Sequence, residues 1–132
     1  MRTIIDEVAP SSLRPVFKKV FTSLQRGKVL ESYQYLDAYY LLSVDGTGLF
    51  SSNTVHCAQC CTKTNRAGKI TYYHQLLAAV IVHPDQREVI PLAPEPITRQ
   101  DGATKNDCER NAAKRLLPAV RRGTPPSQAH RR

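Results

Sequence analysis

The chain has 132 residues, enough for one small domain with a hydrophobic core. Its 19 basic and 11 acidic residues give a formal net charge of +8, but four positive charges are arginines that follow residue 118, so the body is only mildly basic. The four cysteines and the lack of a membrane-length apolar run predict a cytoplasmic protein. The lack of such a run argues against a membrane-spanning protein. The four cysteines argue against a disulfide-rich secreted protein and favour metal binding over disulfides.

An amphipathic helix is predicted over residues 11–26, within an N-terminal helical segment that covers residues 1–38. Gly27 provides a stop signal, and residues 29–38 predict a second, short helical turn. Apolar residues recur at helical spacing and predict one face that packs on a sheet: Leu13, Val16, Phe17, Val20, Phe21 and Leu24.

A strand is predicted next, over residues 39–45. The run Tyr-Tyr-Leu-Leu-Ser-Val is apolar enough for a strand that is covered on both faces. It ends at Asp45, after which Gly46 and Gly48 predict a turn. A carboxylate at the end of a buried strand is costly unless it is hydrated, paired or bound to a metal, so Asp45 is a candidate metal ligand. The alternative is an ordinary Asp-Gly turn.

A second strand is predicted over residues 70–82, followed by a turn at 83–86 and a third strand over 87–92 that closes a hairpin. The prolines at 91, 94 and 96 predict an irregular loop over 93–100.

A last helix is predicted to begin near residues 104–107 and to be disrupted at Pro118. Its entry contains three acids that we interpret as capping groups: Asp101, Asp107 and Glu109. Ala112, Ala113, Leu116 and Leu117 are its predicted buried face. Residues 119–132 have the composition of a disordered basic tail.

A second candidate site lies in a polar insertion loop over residues 50–69. Cysteines at i and i+3 can hold one tetrahedral zinc, and Cys57 and Cys60 have this spacing. The set could be completed by Cys61, His56 or His74. A metal would order a loop that has few core residues of its own. The alternative is free thiols in a mobile hairpin loop, and Cys108 is interpreted as a small helix residue.

Basic residues form the third candidate site. Lys63, Arg66 and Lys69 lie in the loop, and further cations surround the last helix: Lys105, Arg110, Lys114 and Arg115. Such side chains can contact the phosphates of DNA. A solvated helix face is the simpler interpretation for each residue taken singly.

From about Leu13 to Leu117 the chain resembles the first part of the catalytic domain of insertion-sequence DDE transposases. The segments that carry the resemblance are LQRGKVLE (24–31), VDGTG (44–48), HCAQCC (56–61), TYYHQ (71–75), HPDQREV (83–89), PLAPEP (91–96) and DGATKNDCERNAAKRLL (101–117).

The resemblance implies a ribonuclease-H-like α/β fold with strand order 3-2-1-4-5. It also implies metal-dependent cleavage and joining of transposon-end DNA by three carboxylates that bind magnesium. Asp45 matches the first carboxylate, and the other two have no counterpart here. We therefore expect residues 39–118 to be the first half of the catalytic domain, inactive alone. The expected partial fold has an N-terminal helix, a three-stranded antiparallel sheet, one further helix and a disordered tail.

The tail has a second interpretation, as a frameshift product. Gly123 to Arg132 can be encoded by GGA ACA CCC CCA TCT CAA GCT CAT CGT CGT, and reading from the second base gives the apolar strand EHPHLKLIVV. Two other functions remain open: a small zinc-knuckle protein that binds nucleic acid through residues 50–75, and a pseudogene product without function. The sequence predicts no oligomeric state.

Overall fold

The computed structural model describes residues 10–36, 39–99 and 107–123. Within these ranges the chain is α/β, with two α-helices and a six-stranded sheet whose recorded pairings are antiparallel. The chain divides into two compact units. Of the described residues, the first contains 10–36, 39–43, 79–93 and 120–123, and the second contains 44–78, 94–99 and 107–119.

The first α-helix, α1, spans Arg14–Arg26 and follows a 3-10 turn at Pro10–Leu13. Pro15 lies in its first turn, where the missing N–H leaves no helical hydrogen bond unmade. The Gly27 N–H donates to the Ser23 carbonyl (2.9 Å) and ends the helix, so the predicted end is confirmed, whereas the α-helix begins later than predicted, at Arg14. Of the predicted apolar face only Phe21 is buried; Val16 and Val20 are exposed, so the predicted packing of this face on a sheet is largely wrong.

A second 3-10 turn at Val29–Tyr33 confirms the short helical turn. Tyr33 is buried, and its hydroxyl donates to the Glu88 carbonyl (3.2 Å) within the first unit. Strand β1, Gln34–Tyr35, then pairs with Tyr39 and Tyr40.

Strand β2 spans Tyr39–Ser52 and differs from its prediction in two ways. The strand continues through Asp45 and Gly46, so the turn that was predicted there does not form. None of its 14 residues is buried by the described parts of the chain. The prediction that this strand is covered on both faces is therefore wrong. Asp45 is therefore an exposed residue within a strand and not the tip of a buried one.

Strand β4, Ile70–Val82, has the predicted bounds. Its buried residues alternate, at Leu77, Ala79 and Ile81, as expected for a strand with one face on a core. The predicted hairpin is confirmed, with the Gln86 N–H donating to the His83 carbonyl (3.1 Å). Its returning strand, β5, is shorter than predicted and consists of Ile90–Pro91.

The sheet has more strands than the three that were expected. Strand β3, Cys61–Thr64, pairs with β4 within the predicted insertion loop, and β6, Glu95–Ile97, pairs with Gln75–Leu77 where a loop was predicted. Pro96 is tolerated because β6 is a short peripheral strand that does not need every N–H for pairing. The strand order is β1-β2-β4-β3, and β5 and β6 also pair with β4.

The second α-helix, α2, spans Glu109–Gly123 and continues through Pro118, so the predicted disruption there is wrong. Pro118 is exposed, and the carbonyl that loses its helical partner can bind water instead. The predicted tail over 119–132 is helical as far as Gly123, and its remainder lies outside the described residues.

Ala112 and Leu116 are the buried residues of α2, whereas Leu117 is exposed. With Cys61, Leu77 and Ile97 they are the buried apolar residues of the second unit on the helix side of the sheet. Among the described helices, none is both long and apolar enough to cross a membrane.

Candidate metal centre

Two cysteines and one histidine of the second unit converge on one point. Cys57 and Cys60 lie in the turn before β3, and His74 projects from β4, the strand that pairs with β3. The turn is closed by two hydrogen bonds: the Cys60 N–H donates to the Cys57 carbonyl (3.3 Å), and the Cys57 N–H donates to Cys60 Sγ (3.3 Å). These two bonds fix the conformation of the turn and, with it, the distance between the two sulfurs.

The distances among the three ligand atoms fit a metal ion. The two sulfurs are 3.7 Å apart, and His74 Nε2 lies 3.2 Å from each of them. With ordinary Zn–S and Zn–N bond lengths, a tetrahedral zinc places two sulfurs about 3.8 Å apart and a sulfur and a nitrogen about 3.6 Å apart. The sulfur pair already has this separation, and the histidine needs to move by only a few tenths of an ångström.

The two thiols differ in their surroundings. Cys57 is exposed, whereas Cys60 is 2% exposed, and burial raises the pKa of the Cys60 thiol although the N–H of Cys57 opposes this rise. A thiolate is the form that binds zinc, so a bound cation would stabilise the charge that burial disfavours. The group can therefore hold a metal such as zinc.

The other two predicted ligands lie elsewhere. The ring of His56 stacks on the ring of Tyr72, with centroids 4.2 Å apart. Cys61 is fully buried and donates its S–H to the Ile97 carbonyl (3.4 Å), while burial raises the pKa of its thiol. Throughout the part of the chain that the structure describes, Cys57, Cys60 and His74 are the one group of three or more possible ligands. A fourth ligand would have to come from water, a bound molecule or residues outside that part.

Asp45 has a simple local environment. Its Oδ1 accepts the N–H of Gly46 (2.9 Å), and its side chain is exposed. A side chain added at Gly46 would collide with the Glu109 carboxylate, which accepts a hydrogen bond from Gln75 Nε2 (3.1 Å). Because successive residues of a strand point to opposite faces, Asp45 faces away from Glu109. Asp45 belongs to no ligand group among the described residues, which therefore do not fit a magnesium pair.

The acids at the entry of α2 have structural partners. Arg115 donates from Nε to Glu95 (2.6 Å) and from a terminal nitrogen to Asp107 (2.7 Å). Burial would raise the pKa of Asp107, but hydrogen bonds from Arg115 and from the Cys108 N–H hold it below its usual value. Asp107 thus accepts the N–H of Cys108, the residue before α2, so its capping role stays a prediction, and Asp101 lies outside the described residues.

The Arg115 cluster was missed by sequence reasoning. Glu95 stands in a segment that was predicted to be a loop, and Asp107 precedes Arg115 by eight residues, a spacing that gives no local pairing signal. Arg115 is thus a structural cation and not a free one.

The remaining basic candidates are exposed. Lys63 lies on β3, and Arg66 and Lys69 lie in the turn between β3 and β4. Arg110 and Lys114 are exposed on α2, and Lys105 lies outside the described residues.

Comparison with known proteins gave no match: no protein-family model, curated protein or solved structure is significantly similar to this chain. The resemblance to DDE transposases therefore stays a prediction.

Proposed function

We propose that this chain is the first portion of the catalytic domain of a DDE transposase, with a zinc-binding hairpin inserted between its first two strands. In this proposal β2, β4 and β5 are strands one, two and three of a ribonuclease-H-like sheet. The intact enzyme cleaves and joins DNA at transposon ends by metal-dependent phosphoryl transfer.

The observation that carries the proposal is the strand order. The family order 3-2-1 requires the second strand to pair with both the first and the third, and β4 pairs with both β2 and β5. A simple meander gives the same neighbours, so the order supports the proposal together with the matched segments and not by itself. Asp45 lies on β2, which in this proposal corresponds to the strand that carries the family's first carboxylate.

In the proposed enzyme Asp45 is one of three carboxylates that bind magnesium, which would stabilise the attacking and leaving oxygens. A single exposed carboxylate does not bind such a metal pair, so we expect this chain alone not to cleave DNA. The metal group of Cys57, Cys60 and His74 has a different role in the proposal, because soft thiolate ligands select zinc over magnesium. It would hold the β3–β4 hairpin in place.

The alternative is a small zinc-knuckle protein that binds nucleic acid through residues 50–75. The metal group fits both functions equally and does not discriminate between them. Asp45 discriminates, because it is essential in a transposase and incidental in a zinc knuckle.

The test uses the chain extended by the polypeptide that its encoding DNA specifies in the shifted frame after residue 122. We expect magnesium-dependent cleavage of transposon-end DNA by the extended chain, and loss of cleavage in Asp45→Asn. Asp85→Asn is the matched control, because Asp85 is an exposed acid in the turn after β4. Equal cleavage by both variants, or DNA binding without any cleavage, would contradict the transposase proposal.

A further inference from the structure

An uninterrupted stretch of the second unit carries no negative charge. Between Asp45 and Asp85 the sequence has no Asp or Glu, although the same stretch contains Lys63, Arg66 and Lys69. All three cations lie on or next to the β3–β4 hairpin, and no described carboxylate forms an ion pair with Lys63. The charged side chains of the hairpin itself are therefore all positive, which favours an anionic ligand.

A groove of about 540 Å³ lies on one face of this hairpin. Its lining residues are Ser51, Lys63, Asn65, Thr71 and Tyr73. Lys63 lies directly opposite Thr71 in the β3–β4 ladder, and Tyr73 is two residues further along β4, so alternation places these three side chains on one face. The volume is in the range of small-ligand pockets and can contain a nucleotide unit.

The groove offers hydrogen-bond donors and one full positive charge. Lys63 contributes an ammonium group and Ser51 a hydroxyl. The side-chain Oδ1 of Asn65 already accepts the N–H of Lys69 (2.9 Å), which leaves the amide NH₂ as the donor end of that side chain. A cation with neutral donors and no acid matches a phosphate group.

The hairpin turn is held rigid next to the groove. The Asn65 N–H donates to the Lys69 carbonyl (3.0 Å), and the Gly68 N–H donates to the Asn65 carbonyl (3.0 Å). Gly68 has a positive φ of 77°, which glycine adopts without strain. Arg66 and Lys69 belong to this turn and are close to Lys63 in the sequence. Arg66 and Lys69 do not line the groove, and three cations on one hairpin are more than one phosphate requires, which favours a polyanion as the ligand.

We propose that this groove binds a backbone phosphate of duplex DNA, with Lys63 as its central contact and with Arg66 and Lys69 on neighbouring phosphates. The choice of DNA as the source of the phosphate rests on the proposed function. The site itself rests on the groove, on Lys63 in its lining and on the lack of acidic residues within the hairpin.

The test measures binding of fluorescently labelled duplex DNA to the zinc-loaded full chain by anisotropy, over a series of salt concentrations. Lys63→Gln should weaken binding about three- to tenfold at 0.1 M salt, and should reduce the slope of log K against log salt by about 1. Lys19→Gln is the matched control, because Lys19 is an exposed cation on α1, and it should change affinity less than about twofold.

Equal effects of Lys63→Gln and Lys19→Gln would overturn the proposal, and so would a wild-type chain that binds no duplex at low salt. A free nucleoside monophosphate that competes as well as the duplex would also overturn it, because the groove would then recognise a free nucleotide. Cleavage by the extended chain that depends on Asp45 but not on Lys63 would refute this inference alone. Cleavage that does not depend on Asp45 would refute the proposed function alone.

Discussion

Strands β2 and β4 are the two long strands of the sheet, but their environments differ. β2 has 14 residues and β4 has 13, and each contains a pair of tyrosines followed by leucines. β4 buries Leu77, Ala79 and Ile81, whereas no residue of β2 is buried. An apolar run therefore predicts a strand reliably but does not predict burial, because burial depends on what other parts of the chain supply.

The partners of the two strands explain the difference. β4 pairs with β3, β6 and β5 in succession, and its residue Gln75 contacts Glu109 of α2. β2 pairs with β4 and, at one end, with the two-residue strand β1, and it leaves Leu49 and Phe50 exposed at the other end.

The largest expected effect concerns the binding of zinc by the metal group of Cys57, Cys60 and His74. Zinc at 1,000 times its dissociation constant should stabilise the folded chain by about 4 kcal/mol, and a chelator should remove this stabilisation. Thermal melts with and without chelator measure the difference. Cys57→Ser should melt at the same temperature in both conditions, whereas the control Cys108→Ser, also exposed but outside the group, should respond as the wild type does.

The second prediction tests the comparison directly with one leucine from each strand. Leu77 of β4 is 3% exposed and Leu49 of β2 is 63% exposed. Leu77→Ala should lower the free energy of unfolding by about 2–4 kcal/mol, because it leaves a cavity in the core, and Leu49→Ala should lower it by less than about 1 kcal/mol. Urea denaturation provides both values. Equal losses would mean that β2 is covered as β4 is.

The third prediction concerns Arg115, which pairs with Glu95 of β6. Arg115→Met leaves the buried carboxylates of Glu95 and Asp107 without their cation. Because the Arg115 side chain is itself 41% exposed, we expect a loss of about 2 kcal/mol at pH 7, below the cost for a fully buried pair. Lys114→Met, at an exposed neighbouring position, should change the free energy of unfolding by less than about 0.5 kcal/mol.

This loss should depend on pH. The pKa of Asp107 is lowered in the folded chain, so its ion pair stabilises the fold above the unfolded pKa, and the stabilisation disappears as the pH falls through the lower folded value. The difference in unfolding free energy between wild type and Arg115→Met should therefore be constant from pH 5 to 7 and narrow below about pH 4. A difference that widens on acidification would contradict the assignment.

The smallest expected effect compares two glycines of β2. A side chain at Gly46 would displace the Glu109 carboxylate that accepts a hydrogen bond from Gln75, whereas no atom lies within 4 Å of a side chain added at Gly48. Gly46→Ala should cost about 1 kcal/mol, the ordinary value of one hydrogen bond. Gly48→Ala should be neutral or slightly stabilising. The reverse order, measured by urea denaturation, would show that α2 does not approach β2 at Gly46.

Local patterns predicted much of the fold. Helical spacing gave the bounds of α1, and the run from Ile70 to Val82 gave β4, because both signals lie within a single element. The spacing of Cys57 and Cys60 predicted their approach, and His74 was among the three candidates that could complete the group.

Long-range structure accounts for what the sequence did not predict. Pro96 and Pro118 were interpreted as breaks, but each lies where the missing N–H is not needed, and that depends on solvent and on neighbouring strands. The bonds of Arg115 to Glu95 and Asp107 join three separate segments, and no pattern within one segment reveals them.

The most direct test of the metal centre is the zinc content of the purified chain, measured by atomic spectroscopy. We predict one zinc per chain in the wild type and in Cys108→Ser, and little zinc in Cys57→Ser, Cys60→Ser and His74→Ala. Retention of zinc by the ligand variants, or a wild-type chain without zinc after purification in its presence, would contradict the account.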